Sequence, residues 1–165
     1  GHVVQFLGKI SRGELTDQER QELMNLIQSS NLFEEIGDII ETNLVTLGRR
    51  RIEEKIVISG ETRSIISEFH RVVASALNDS VKAIRGGNEE AARQVVALKS
   101  EIRGMAKQTM RHGIERLVAD EPNRFRTYTR EMEIFENFQR IYTLCRSLAR
   151  ASMEEQAEPV STTPL

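Results

Sequence analysis

The feature that most constrains the fold of this chain is the placement of its prolines. The 165 residues include three, Pro122, Pro159 and Pro164, so no proline interrupts the stretch from Val3 to Glu121. A proline inside a helix removes a backbone hydrogen bond and clashes with the preceding turn, so its absence permits long helices. Apolar residues recur along the chain at helical spacing, and no run alternates with the period of two that marks a half-buried strand. The sequence predicts an all-α fold.

Local signals predict where the first two helices begin. Thr16 and Glu19 have the spacing of a capping box, in which the hydroxyl and the carboxylate satisfy each other's backbone amides. A short first helix is therefore expected from about residue 17 to residue 28. Asn31 is a second candidate N-cap, followed by apolar residues at helical spacing to roughly Val57. The pattern predicts a separate, long second helix.

Glycines mark the remaining helix ends. The pair Gly86-Gly87 interrupts the apolar periodicity, and Asn88 directly after it is a candidate N-cap. Gly104 and Gly113 fall inside the next apolar pattern and are possible weak points. The predicted helices cover residues 61–85, 88–119 and 123–150, the last beginning after the break at residues 120–123.

Short connections force these helices to pack antiparallel to their neighbours. We predict an up-down bundle of four long helices, with a short N-terminal helix packed at one end. Residues 1–13 are interpreted as a cloning remnant and a linker, since Gly1-His2 is typical of such remnants. Residues 14–153 form the bundle, and residues 154–165, which are polar and carry two prolines, form a tail.

The composition excludes several classes of protein. Lys+Arg 23 against Asp+Glu 25 gives a formal net charge of -2, without the basic excess of a nucleic-acid-binding domain. Cys145 is the only cysteine and lies in an apolar run, so a disulfide framework is impossible and a core position is expected. No segment approaches the ~20 consecutive apolar residues that span a bilayer. A reducing cytoplasm fits this sequence best.

We find no catalytic constellation. His70 and His112 lie on different predicted helices without a second histidine four residues away, so an HExxH zinc site is absent. Glu68 and His70 are two residues apart and face different sides of a helix, which excludes the Glu-x-x-His pair of di-iron bundles. The chain is not expected to be an enzyme, and no catalytic residue is assigned.

One group of acidic residues stands out. Glu34, Asp38 and Glu41 are separated by four and three residues, so α-helical spacing places them on one face. Like charges at this spacing repel, and a bound cation or a facing arginine would relieve the repulsion. Glu34 also follows Asn31 by three residues and could serve only that cap. From the residues alone, cation binding and plain surface charge stay equally open.

The segment from Leu32 to Leu44, LFEEIGDIIETNL, resembles the signature helix of PhoU domains, which typically carries Glu-Arg-Ile-Gly-Asp followed by Asn-Ile. Glu35 stands where the family usually has arginine. The resemblance implies a repeated three-helix unit whose third helix supplies carboxylates to metal clusters. It assigns Glu34 and Asp38 as metal ligands, with Glu41 beside them, and implies a divalent or ferric ion as the cofactor.

A second, weaker copy of the signature is expected on the last helix. The segment EIFENFQR keeps the first carboxylate as Glu133 but has Asn137 in place of the aspartate. Arg140 shares their face and could neutralise carboxylates without a metal. The resemblance therefore adds Glu133 to the predicted metal ligands, while the departure at Asn137 weakens the prediction of a second cluster.

One complete repeat, preceded by the closing helix of another, is similar to the C-terminal region of bacterial sodium/phosphate cotransporter-related proteins. This resemblance implies a regulatory domain for phosphate transport or homeostasis, on the cytoplasmic side and tethered to the inner membrane through a transporter region. The expected partners are that transporter region and a second copy of the chain, and nucleic acid is not one of them. The alternative is a helical protein–protein interaction or signalling module without metal.

Overall fold

The computed structural model describes residues 9–10, 12–13, 15–118 and 124–157, with side chains as far as Glu154. Within these ranges the chain is an all-helical bundle without strands, which confirms the predicted fold class. Most of residues 1–13, the predicted break at 120–123 and residues 158–165 lie outside the described residues. The four long helices are α1, residues 17–53; α2, Gly60–Gly86; α3, residues 89–117; and α4, Arg124–Ala157.

Helix α1 is continuous and contains a π-helical turn. Its parts are the α-helix Asp17–Asp38, the π-helix Ile39–Leu44 and the α-helix Val45–Glu53, which follow one another directly. The prediction of two separate helices is therefore wrong, and Asn31 lies inside α1. Ser29 is buried and Ile36 belongs to the core. Packing of this kind outweighs the weak helix propensity of a Ser-Ser-Asn stretch.

The helix ends follow the predicted capping chemistry. The side chains of Thr16, Ser59 and Asn88 each accept a hydrogen bond from the amide three residues later. The backbone amide of Thr16 in turn donates to the carboxylate of Glu19 at 2.9 Å, which completes the predicted capping box. Gly87 ends α2 with φ of 57°, in the left-handed region that favours glycine. These caps confirm the predicted starts of α1 and α3.

Helix α3 is interrupted at Leu98, between Glu89–Ala97 and Lys99–Leu117. The predicted weak points, Gly104 and Gly113, are instead regular helix. Gly113 permits close helix packing, because a Cβ there would lie 2.8 Å from Cε2 of Tyr128 and 3.2 Å from Cε of Met132. The approach of α4 therefore explains Gly113. The interruption of α3 lies at Leu98 and at neither of these glycines.

Helix α4 packs against each of the other three helices. It runs parallel to α2, since Ser80 donates to the carbonyl of Cys145 and Ser152 donates to that of Ala83, each at 3.1 Å. Helices α1 and α3 run antiparallel to α4. The core centres on Phe69, which is fully buried, with its ring centroid 5.8 Å from those of two α4 phenylalanines. In the described part of the chain, no helix is both long and apolar enough to span a membrane.

Candidate functional site

The predicted acidic ligands of α1 lie on its surface. Glu34, Asp38 and Glu41 are all exposed, and no hydrogen bond or ion pair is recorded for their side chains in the part of the chain described. Asp38 ends the regular α-helix, and Glu41 lies in the π-helical turn, which takes in one residue more than an α-helical turn. This shifts Glu41 around the axis from its α-helical position. Glu34 and Asp38 keep the predicted common face.

The carboxylate of Glu133 is already neutralised. Arg130, one turn earlier on α4, donates to both carboxylate oxygens at 3.2 and 2.9 Å and to Glu54, the C-cap of α1, at 3.1 Å. The hydrogen bonds to Glu133 and then to Glu54 raise the pKa of Arg130 above its usual value. Because one guanidinium holds two carboxylates, Glu133 is already paired in this arrangement, and its role as a metal ligand stays a prediction.

An asparagine pair joins α1 to α4 beside this ion pair. Nδ2 of Asn43 donates to Oδ1 of Asn137 at 2.8 Å, and Nδ2 of Asn137 donates to the carbonyl of Glu133 at 2.7 Å. Asn43 lies in the π-helical turn, where its amide is brought opposite α4. Asn137 occupies the position at which the family motif has aspartate, and here it makes a neutral bridge between the helices.

The π-helical turn and α4 enclose a groove of about 320 Å³. It contains two hydroxyls, two amides, one guanidinium and the neutralised carboxylate, so its chemistry is that of hydrogen bonding rather than of metal coordination. π-Helical turns are frequent at functional sites, which makes this groove the candidate site of α1. Its lining residues are Thr42, Asn43, Thr46, Leu47, Arg50, Glu133 and Asn137.

The structure does not bring the four predicted ligands together. Glu133 lies in the groove beside Arg50, whereas Arg140, two turns further along α4, donates to Glu35 of α1 at 2.6 Å. Arg140, which shares a helix face with Glu133 and could neutralise carboxylates, therefore pairs with Glu35 of α1. Within the described ranges no group of three or more His, Cys, Asp or Glu side chains could hold a metal ion. Cation binding by Glu34 and Asp38 stays a prediction.

A buried charged cluster near the start of α4 was missed. Glu131 is 1% exposed, with Arg124 at 3.4 Å and Arg116 of α3 at 3.8 Å. Arg116 also donates to the hydroxyls of Ser59 and Thr62 at 2.7 and 2.8 Å. Glu131 falls within the apolar stripe of α4, three residues after Tyr128 and four before Phe135, and that position was the available signal. The cluster ties three helices together.

Cys145 is fully buried, as its apolar neighbours predict. Burial raises the pKa of its thiol to about 11, so the thiol stays protonated at neutral pH. A protonated, inaccessible thiol is a poor nucleophile. Cys145 is a small core residue at the contact of α2 with α4.

The family model described as the PhoU domain matches residues 66–152, more than half of the chain. The chain belongs to the PhoU domain family. The match covers most of α2, all of α3 and most of α4, but not the acidic motif of α1. PhoU domains are regulatory helical domains, and membership indicates a role in phosphate homeostasis. No curated protein and no solved structure is similar enough to this chain to count as a match.

Proposed function

We propose that this PhoU domain regulates a sodium-dependent phosphate transporter from the cytoplasmic side of the membrane. The observation that carries the proposal is the family match over residues 66–152, which covers most of the three-helix unit α2–α4. Helix α1 packs on this unit as the closing helix of a preceding repeat would, which is the arrangement expected for the region that follows the transporter in bacterial sodium/phosphate cotransporter-related proteins. Regulation would then act through contacts of helix surfaces and require no catalysis.

The exposed apolar residues of α3 support a docking role. Met110, Ile114 and Val118 are separated by four residues each and form one stripe, and they are 59%, 51% and 83% exposed. Contiguous exposed apolar side chains are typical of interaction surfaces. We propose that this stripe contacts the transporter region, and a second copy of the chain is the rival occupant.

Reconstituted transport tests this function. Vesicles containing the sodium-dependent phosphate transporter of the source organism would be assayed for sodium-driven phosphate uptake, with the purified chain added on the cytoplasmic face. The account expects the uptake rate to change saturably with added chain. An unchanged rate, together with no binding of the chain to the vesicles above that to transporter-free vesicles, contradicts the proposal.

Surface variants of the same chain localise the contact. The double variant Met110→Gln/Ile114→Gln removes two exposed apolar side chains of the stripe and is expected to abolish the effect on uptake. The matched control, Ile52→Gln/Val57→Gln, removes two side chains that are 77% and 83% exposed and lie elsewhere. Sedimentation equilibrium of both variants tests the rival. The stripe would be assigned to self-association if the unchanged chain and the control form a dimer, the first variant does not, and none of these chains affects uptake.

We also propose that Glu34 and Asp38 bind a divalent cation. Both carboxylates are exposed on a common face, and a hydrated cation such as Mg²⁺ can be held by two carboxylates with water completing its shell. Calorimetric titration of the metal-stripped chain with Mg²⁺ and Mn²⁺ is expected to show saturable binding. Glu34→Gln/Asp38→Asn should abolish it, whereas Glu53→Gln/Glu61→Gln, which removes two exposed carboxylates elsewhere, should not. Equal binding by all three chains would contradict the site.

A further inference from the structure

A row of positively charged side chains faces the contact between α3 and α4. Three of them are spaced four residues apart on α3 and two are spaced four apart on α4, so each set lies on one helix face. We call this surface the basic groove. Its cations are Lys99, Arg103 and Lys107 of α3 and Arg146 and Arg150 of α4.

Four of these cations, Lys99, Arg103, Lys107 and Arg146, line clefts in which the structure describes no carboxylate, whereas Arg150 shares a neighbouring cleft with Glu154. In the described part of the chain, no ion pair or hydrogen bond is recorded for any of the five, whereas most other basic side chains of α2–α4 pair with an acid. Nε of Arg146 is buried without a hydrogen-bond partner. Since the whole chain carries a net charge of -2, this concentration of positive charge is a local feature.

The side chains are close enough to repel one another. Arg146 and then Arg103 lower the pKa of Lys99 below its usual value, with smaller contributions from burial and from Arg150. A lysine surrounded by uncompensated cations is stabilised in its charged form when an anion binds. The unliganded groove is therefore electrostatically unfavourable, and a multiply charged anion would relieve it.

The groove has a defined shape as well as a charge. Lys99, Arg103 and Arg146 surround a cleft of about 200 Å³ whose floor includes Ile102 and Tyr142, and no described carboxylate lines it. The hydroxyl of Tyr142 donates to the carbonyl of Val95 at 3.1 Å, so the floor is fixed. A second cleft of about 430 Å³ continues from Lys99 and Arg103 along α3 to Lys107.

We propose that the basic groove binds phosphate groups. The planar guanidinium of arginine donates two parallel hydrogen bonds that match a phosphate, and lysine adds a point charge. The shared chemistry has two sources: a free inorganic phosphate or polyphosphate, and the phosphate headgroup of an anionic lipid. The site lies on α3 and α4, away from the acidic face and the π-helical groove of α1, and its existence does not depend on the transporter assignment.

Direct binding to the purified chain tests the site. One arm titrates inorganic pyrophosphate into the chain in a calorimeter, and the other sediments the chain with phosphatidylcholine vesicles that contain phosphatidic acid. Pyrophosphate binding identifies a soluble ligand, and binding to the vesicles alone identifies a lipid headgroup. Arg103→Gln/Arg146→Gln is expected to weaken binding by at least about tenfold, because charge-assisted hydrogen bonds are lost.

Two further variants keep the test decisive. Arg103→Gln/Arg150→Gln changes only exposed side chains, so folding is preserved, and it is also expected to weaken binding. Arg49→Gln/Arg63→Gln removes the same charge from exposed positions outside the groove and should leave binding nearly unchanged. An equal loss in this control would show general attraction between charges and overturn the site. Absence of binding in both arms would overturn it as well.

Chemical labelling of Lys99 gives an independent readout. Because its pKa is lowered, Lys99 should be acylated faster near neutral pH than Lys82, whose ammonium lies 2.7 Å from Asp79. Bound pyrophosphate should slow the labelling of Lys99, measured by peptide mass spectrometry, without slowing that of Lys82. If pyrophosphate or the vesicles bind to the chain while the labelling of Lys99 is unaffected, the binding site lies elsewhere and the proposed site is wrong.

Discussion

Helix α4 contacts α2 and α1 through interfaces of different composition. Against α2, it buries aromatic rings and small residues, so that Ala76, Ser80, Cys145 and Leu148 are fully buried. Against α1, it buries a smaller apolar set that includes Ile36 and Ile39, and it also makes polar contacts: the asparagine pair of residues 43 and 137, and ion pairs at each side of it. The α2–α4 interface is dry and closely packed, whereas the α1–α4 interface combines a smaller apolar contact with hydrogen bonds and ion pairs.

The difference indicates separate contributions to stability and to position. Burial of apolar surface contributes about 25 cal/mol per Å², while exposed ion pairs contribute roughly 0–1 kcal/mol each. The α2–α4 interface therefore supplies most of the stability. The polar contacts of the smaller α1–α4 interface fix the register of α1, and this interface should open at a lower free energy than the α2–α4 interface.

The largest expected effect comes from the dry interface. Phe69→Ala removes a fully buried ring that packs on two others, and we expect it to lower the free energy of unfolding by about 3–5 kcal/mol. Phe125→Ala is the matched control, because that ring is 73% exposed, and it should change stability by less than about 0.5 kcal/mol. Urea denaturation followed by circular dichroism measures both. Comparable losses would contradict the assignment of the core.

Alanine at two glycines should change stability in opposite directions. Gly113→Ala places a methyl group against Tyr128 and should destabilise the fold by about 1–3 kcal/mol through overpacking. Gly37→Ala meets nothing within 4 Å, and higher helix propensity should stabilise α1 by up to about 1 kcal/mol. Thermal unfolding of both variants checks the signs. Stabilisation by both would mean that α4 lies further from α3 than the structure shows.

A double-mutant cycle measures the interaction energy between the two asparagines that join α1 to α4. Asn43→Ala and Asn137→Ala, singly and together, should give a coupling energy of about 0.5–1.5 kcal/mol, the usual net contribution of a hydrogen bond. Each free energy comes from urea denaturation. Additive single effects would show that the two amides do not interact in solution. The cycle also tests whether the π-helical turn holds Asn43 opposite α4.

The smallest effect concerns the capping box of α1. Hydrogen bonds from Lys9 and then from the Thr16 amide lower the pKa of Glu19 to about 2. Because this pKa is lower in the folded state than the unfolded value of 4.5, the ionised carboxylate stabilises the fold above pH 4.5. That contribution is lost as pH falls from 4.5 towards 2. Amide exchange at the start of α1 should therefore accelerate over this pH range, in excess of its intrinsic change. In Glu19→Gln, that additional acceleration should be absent.

Local chemistry made much of the fold predictable. The capping box at Thr16, the glycine pair before Asn88 and the absence of proline led to an all-α bundle with helix ends close to those observed. The predicted break before Asn31 was wrong, because burial of Ser29 continues the helix through residues of low propensity. The π-helical turn has no signature in the local sequence, since it depends on packing against α4.

The candidate site was less predictable than the fold. Glu34 and Asp38 share a face as their spacing indicates, but helical periodicity could not show that Arg130 neutralises Glu133. It also could not show that residues 99 and 146, far apart in sequence, lie beside one cleft. Contacts between helices depend on rotation and register, which a single-helix pattern does not specify. The common face of Glu34 and Asp38 was predicted correctly, whereas the shift of Glu41 by the π-helical turn and the combinations across helices were not.

Native-state hydrogen exchange tests the central comparison most directly. Exchange free energies would be measured for amides of α1 around the π-helical turn and for amides of α2 between Phe69 and Ala83, over a series of low denaturant concentrations. The account predicts that α1 amides exchange through a partial opening that costs less free energy than the global unfolding seen by α2. Equal free energies with equal denaturant dependence in both groups would contradict it, and would show that α1 unfolds only together with the α2–α4 unit.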